Sequence, residues 1–127
     1  MLTKFDYHGT IPAIDIERAK QFYQEKLGLT PAEVTPGGLV YKFQNSWFLL
    51  YPTQFAGTAQ HTLGGWTVEN IEAEVAELKA RGLMFEEYDT PQLKTVNGVA
   101  MVGTSKAAWF KDSEGNILEL SELPPAS

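Results

Sequence analysis

The sequence predicts an α+β fold made of two similar halves, each running strand–helix–strand–strand–strand. Three observations predict it. Two helix starts match, Asp15-Ile16-Glu17 and Asn70-Ile71-Glu72, each with an N-capping side chain before an apolar stripe. Each stripe ends at a glycine, Gly28 or Gly82. Each is preceded by a strand pattern in which Ile11 and Ala13 match Trp66 and Val68.

The elements follow in order. Residues 5–14 read as a first strand, with Ile11 and Ala13 on one face and His8, Thr10 and Pro12 on the other. Ile16, Ala19, Phe22, Tyr23 and Leu27 recur at helical spacing, so residues 16–27 form a helix that lays its apolar stripe on a sheet. Residues 32–35, 39–44 and 46–51 are strands, separated by a Pro36-Gly37-Gly38 turn and a tight turn at Asn45. In the last of these, Trp47, Leu49 and Tyr51 share one face and Phe48 and Leu50 the other, which predicts cover on both sides. Residues 53–60 are a linker anchored by Phe55.

The pattern then restarts with a strand over residues 61–68. A helix begins at Ile71, with Glu72 and Glu74 at its positive end and Lys79 and Arg81 at its negative end. Residues 83–88 read as a strand, 90–98 as a loop with an Asn97-Gly98 turn, and 99–111 as a strand interrupted near Gly103. A hairpin closes the chain: Asp112 and Gly115 turn it, and residues 117–122 return. Residues 123–127 are a tail. The first module thus spans about 5–52 and the second about 61–122, within one domain.

Bulk properties exclude several classes. A net charge of −6 without a basic stripe argues against nucleic acid and against an anionic membrane surface. The absence of cysteine removes disulfides, thiolate catalysis and zinc–cysteine sites, and fits a reducing cytoplasm. The first residues lack an apolar secretory core, and no apolar run reaches membrane-span length. There is no phosphate loop, nucleophile elbow or zincin helix.

The closing hairpin, Trp109-Phe110-Lys111-Asp112-Ser113-Glu114-Gly115-Asn116-Ile117-Leu118-Glu119-Leu120, resembles the vicinal oxygen chelate superfamily. That group holds glyoxalase I, extradiol dioxygenases, and fosfomycin- and bleomycin-resistance proteins; it often has Pro where Ser113 stands. The resemblance implies two tandem βαβββ modules in one cupped mixed sheet, with helices on the outer face and a pocket inside. It also implies a homodimer.

Family metal ligands come from the first and fourth strands of each module. Carried over, those positions are His8, Leu49, Leu63 and Glu119. Leucine cannot coordinate, and a catalytic zinc site needs about three protein ligands. His61 lies two residues from Leu63, roughly 7 Å along a strand, and reads as a surface histidine. His8 and Glu119 remain as an acid–base pair or as two ligands of a divalent ion (Zn, Ni, Mn or Fe).

Trp47, Leu49, Tyr51, Leu63 and Trp109 would give the pocket an apolar, aromatic wall. Lys94 and Lys106 are further contacts for an anion, or simply solvated. The resemblance therefore leaves two functions open. One is a cofactor-free protein that binds a small apolar or aromatic molecule, as bleomycin-resistance proteins do. The other is a metal-dependent lyase, isomerase or dioxygenase using His8 and Glu119.

Overall fold

The computed structural model describes residues 1–125. A short 3-10 turn, Leu2–Lys4, precedes β1 (Gly9–Ala13), α1 (Ile16–Leu27), β2 (Glu33–Thr35), β3 (Gly38–Lys42) and β4 (Trp47–Pro52). The second half holds β5 (Thr62–Thr67), α2 (Ile71–Ala80), β6 (Thr95–Val96), β7 (Val99–Val102), β8 (Ser105–Lys111) and β9 (Ile117–Glu122). Each half is a βαβββ-like module with its own mixed sheet, ordered β1-β4-β3-β2 and β5-β9-β8-β7-β6. In each, the strand before the helix pairs in parallel with the last strand of the module. The single continuous sheet expected from the sequence is thus two sheets.

Both helices begin where a side chain satisfies a free backbone donor. Asp15 accepts from the Arg18 N–H and Asn70 from the Ala73 N–H. Gly28 closes α1 in the left-handed region, at φ 71°. α1 sets Ala19 and Tyr23 on Ile11, Leu39, Tyr41, Phe48 and Leu50 of the first sheet, and Phe110 and Leu118 of the second sheet join the same core. α2 sets Ile71 and Val75 on Ala108 and Leu120. Trp66 packs into both cores, stacked on Phe110, as its parity with Val68 predicts.

The turn between β8 and β9 locks the modules together. Asp112 is buried, and its Oδ1 accepts from the backbone N–H groups of Glu114 and Asn116. Its Oδ2 accepts from the Tyr23 hydroxyl at 2.8 Å and from the Asn116 amide at 2.9 Å. Asn116 also donates to the Pro12 carbonyl and accepts from the Gly57 N–H, which pins the linker. Glu114 reaches the start of α1, accepting from the Asp15 N–H at 2.8 Å and from Arg18 at 2.9 and 3.0 Å, while Ser113 donates to it within the turn.

Burial alone would raise the Glu114 pKa. The hydrogen bonds from Arg18, the Asp15 N–H and Ser113, with the Arg18 charge, outweigh burial and hold it at about 2. Because the folded pKa lies below the ordinary 4.5, the unfolded chain binds more protons between those values. Stability from Glu114 is therefore complete above about 4.5 and is lost as pH falls through about 2. Glu114→Gln should flatten the acid limb of a thermal-stability-versus-pH curve in that window; an unaltered limb would contradict this.

Several expected elements differ. Residues 5–8 are not strand, because β1 begins at Gly9 once it meets β4. Residues 83–88 meet the sheet at an isolated Phe85–Phe110 bridge and through a hydrogen bond from the Thr95 N–H to the Tyr88 carbonyl, without a continuous ladder, so they form no strand. The loop over residues 90–98 contains β6, and the interruption near Gly103 is a hairpin turn between β7 and β8. Phe55 is exposed and Ala56, not Phe55, is buried in the linker. Residues 126 and 127 of the expected tail lie outside the described residues. No described helix is long and apolar enough to cross a membrane.

Candidate functional site

The sheet faces turned away from the helices carry most of the residues singled out in the sequence. On the first sheet, Thr10, Leu49 and Val40 stand side by side in register, with Trp47 and Tyr51 flanking Leu49 along β4. Trp47, Leu49 and Tyr51 are each half-buried, so the face expected to be covered is partly open. The reason is that the first sheet has a helix on one side only. On the second sheet, Glu119 lies between Gly65 of β5 and Trp109 of β8, and Tyr88 meets the Trp109 ring edge-on at 5.7 Å.

A cleft of about 250 Å³ runs along the seam where β1 of one module approaches β5 of the other. His8 and Trp47 form one wall, with their rings stacked at 3.8 Å and 12°. Phe43, Leu63 and Trp66 form the rest, and Gly64-Gly65 line the approach of β5. The sequence reading missed Tyr7, Phe43 and the two glycines as part of this cleft. The adjacent glycines inside a strand were the available signal, because they mark a bulge or a close approach.

The structure thus brings His8, Trp47 and Leu63 together. Leu49 and Tyr51 lie beyond them on the open face, and Trp109 and Glu119 lie on the other sheet. Leu63 does not occupy the position opposite Glu119. A β-bulge between Thr62 and Gly64 shifts the register, so Gly65 faces Glu119 and Leu63 packs against the core. The expected His8–Glu119 pair is not made: no hydrogen bond or ion pair joins them among the described residues, and His8 is exposed against Trp47 instead. His61 is exposed, its ring turned to the Thr62 carbonyl, as a surface histidine.

This donor set does not fit the divalent metal of the superfamily's enzymes. Among the described residues, no three His, Asp or Glu side chains converge. Of the residues at ligand positions only His8, just ahead of β1, and Glu119, on β9, carry a donor side chain. What the arrangement offers is apolar and aromatic area with a few polar groups at its edge, which suits a planar, weakly polar molecule.

Residues 8–40, covering β1, α1, β2 and the start of β3, match a family model described as bleomycin resistance protein-like N-terminal. No curated protein matches the chain significantly in sequence. Among solved structures, UcmS2 is 22% identical with a TM-score of 0.70, over 90% of this chain and 94% of that one. A glyoxalase/bleomycin resistance protein from Catenulispora acidiphila is 16% identical with a TM-score of 0.67, over 94% and 99%. TnmS3, an antibiotic binding protein from Streptomyces sp. CB03234, is 21% identical with a TM-score of 0.64, over 95% and 98%. At these identities the shared property is the fold.

Proposed function

The chain has the fold of the glyoxalase/bleomycin-resistance (vicinal oxygen chelate) superfamily, and on that premise we propose that it binds a small apolar or aromatic molecule without a metal. The observation that carries this reading is the aromatic wall of the seam, where the His8 and Trp47 rings stack at 3.8 Å beside Phe43 and Trp66. The likeness to TnmS3, named as an antibiotic binding protein, supports the ligand class.

The binding unit is a homodimer. β1 and β5 are each hydrogen-bonded on one side only, and both sheet faces are half-open in a single chain. A second copy covering them would enlarge the seam toward the volume of a drug-sized site. Trp47 then supplies the main stacking surface, and Leu49, Tyr51 and Trp109 extend it. Glu119 provides a carboxylate to orient a polar substituent.

N-phenyl-1-naphthylamine, a neutral aromatic probe, tests this by quenching tryptophan fluorescence. The wild type should bind it saturably, and light scattering on the same sample should give a two-chain mass. Trp47→Ala should weaken binding about tenfold, the worth of one lost aromatic contact, while Trp47→Phe retains most of it. Equal affinity in wild type and Trp47→Ala would remove the seam as the site, and a one-chain mass would remove the dimer.

A further inference from the structure

A larger groove of about 800 Å³ lies on the opposite side of the second module, between α2 and the β6–β7 hairpin. Its floor is Val75, buried, and Val99, which packs on the same core, and its wall is Val96 and Met101, held out to solvent at 66% and 60% exposure. The turn of the hairpin is fixed: Asn97 and Gly98 take φ of 54° and 84°, and Gly98 seats on Phe85. Neither core of the fold needs Val96 or Met101 to face outward.

The rim carries the opposite sign to the protein as a whole. Three lysines, Lys79, Lys94 and Lys106, border this groove in a chain of net charge −6. Lys106 is neutralised by Glu72 at 2.7 Å and Glu122 at 3.9 Å. The Lys79 ammonium donates only to the Asn97 carbonyl, and the Lys94 side chain makes no hydrogen bond or ion pair among the described residues. Two uncompensated cations therefore stand over an apolar trough whose size suits a small ligand.

We propose that this groove is a second binding site, for an amphipathic monocarboxylate whose apolar body lies on Val75, Val99 and Met101 and whose carboxylate is held by Lys79 and Lys94. The apolar area supplies affinity, and the two ammonium groups select an anion over a neutral molecule of the same shape. This site is separate from the seam and does not depend on the reading given to it.

Decanoate tests the proposal, with 1-decanol as the neutral counterpart and binding followed by NMR shifts of the full chain. Decanoate should saturate the shifts of Val96, Val99 and Met101. Lys79→Gln with Lys94→Gln should weaken it about tenfold, as loss of charge-assisted hydrogen bonds does. Decanol should bind more weakly than decanoate and equally to both proteins, and Trp47→Ala should leave decanoate unaffected. The proposal is overturned by the absence of saturation up to the solubility of decanoate, by equal affinity in the double variant, or by shifts centred on Trp47.

Discussion

Asp112→Ala lowers the free energy of unfolding by about 3–4 kcal/mol, read from urea denaturation. The carboxylate accepts four hydrogen bonds in a buried site: two from the turn's own backbone, one from Asn116 and one from Tyr23 of the other module. Removing it leaves several buried donors without partners, each costing about 1–3 kcal/mol, partly relieved by water entering the gap. Tyr23 is the most exposed to this loss, because burial and the Asp112 charge already push its hydroxyl pKa well above the usual value. Its proton therefore stays in place to donate. Asp112→Asn keeps acceptor capacity on one oxygen and should lose less than the alanine variant. A loss under about 1 kcal/mol for Asp112→Ala would show that the turn does not join the modules in the way its hydrogen bonds imply.

The second large effect sits at the seam. Gly65→Ala lowers stability by about 2–3 kcal/mol, because a methyl group there runs into the Glu119 carbonyl oxygen and lies 2.6 Å from the Glu119 Cγ. The obstruction is backbone, so β5 must move away from β9 and loosen its parallel ladder. Gly64→Ala is the internal control. A methyl group at Gly64 meets nothing within 4 Å, and removing a glycine also restricts the unfolded chain, so it should be neutral or slightly stabilising. Matched guanidinium unfolding curves for the two variants separate these outcomes, and equal effects would contradict the close approach of β5 to β9.

Which features were legible in the sequence follows from how local their causes are. Both helices begin where the sequence places them because a cap needs only a side chain and an N–H three residues on. The return strand of the last hairpin begins at Ile117 because Asp112 and Gly115 dictate the turn within five residues. Residues 83–88 have the alternation of a strand, but a ladder requires consecutive pairing, and here an isolated Phe85–Phe110 bridge and a Tyr88–Thr95 hydrogen bond do not build one. The family's ligand positions, carried over, make His8 and Leu63 equivalents. The bulge at Thr62/Gly64 breaks that equivalence, since one extra residue reverses which side chain faces which sheet surface. His8 and Glu119 share no hydrogen bond or ion pair among the described residues for a similarly non-local reason. His8 lies just ahead of β1, where the Trp47 ring is its nearest aromatic partner and no ladder fixes it toward the second sheet.

Buried polar residues such as Asp112, Glu114 and Asn116 stand beside Glu119 in the sequence with equal prominence. In three dimensions they do different work. The first three hold the modules together, and only Glu119 faces an open sheet surface.

The most direct test of metal-free binding is one titration done twice. N-phenyl-1-naphthylamine is titrated into protein dialysed against a chelator, and again after one equivalent of zinc, manganese, iron or nickel is added. The account predicts the same affinity in both, with no stoichiometric metal retained on elemental analysis. Metal bound at one equivalent, required for probe binding and lost in both His8→Ala and Glu119→Gln, would contradict it and restore those two residues as ligands of a catalytic centre.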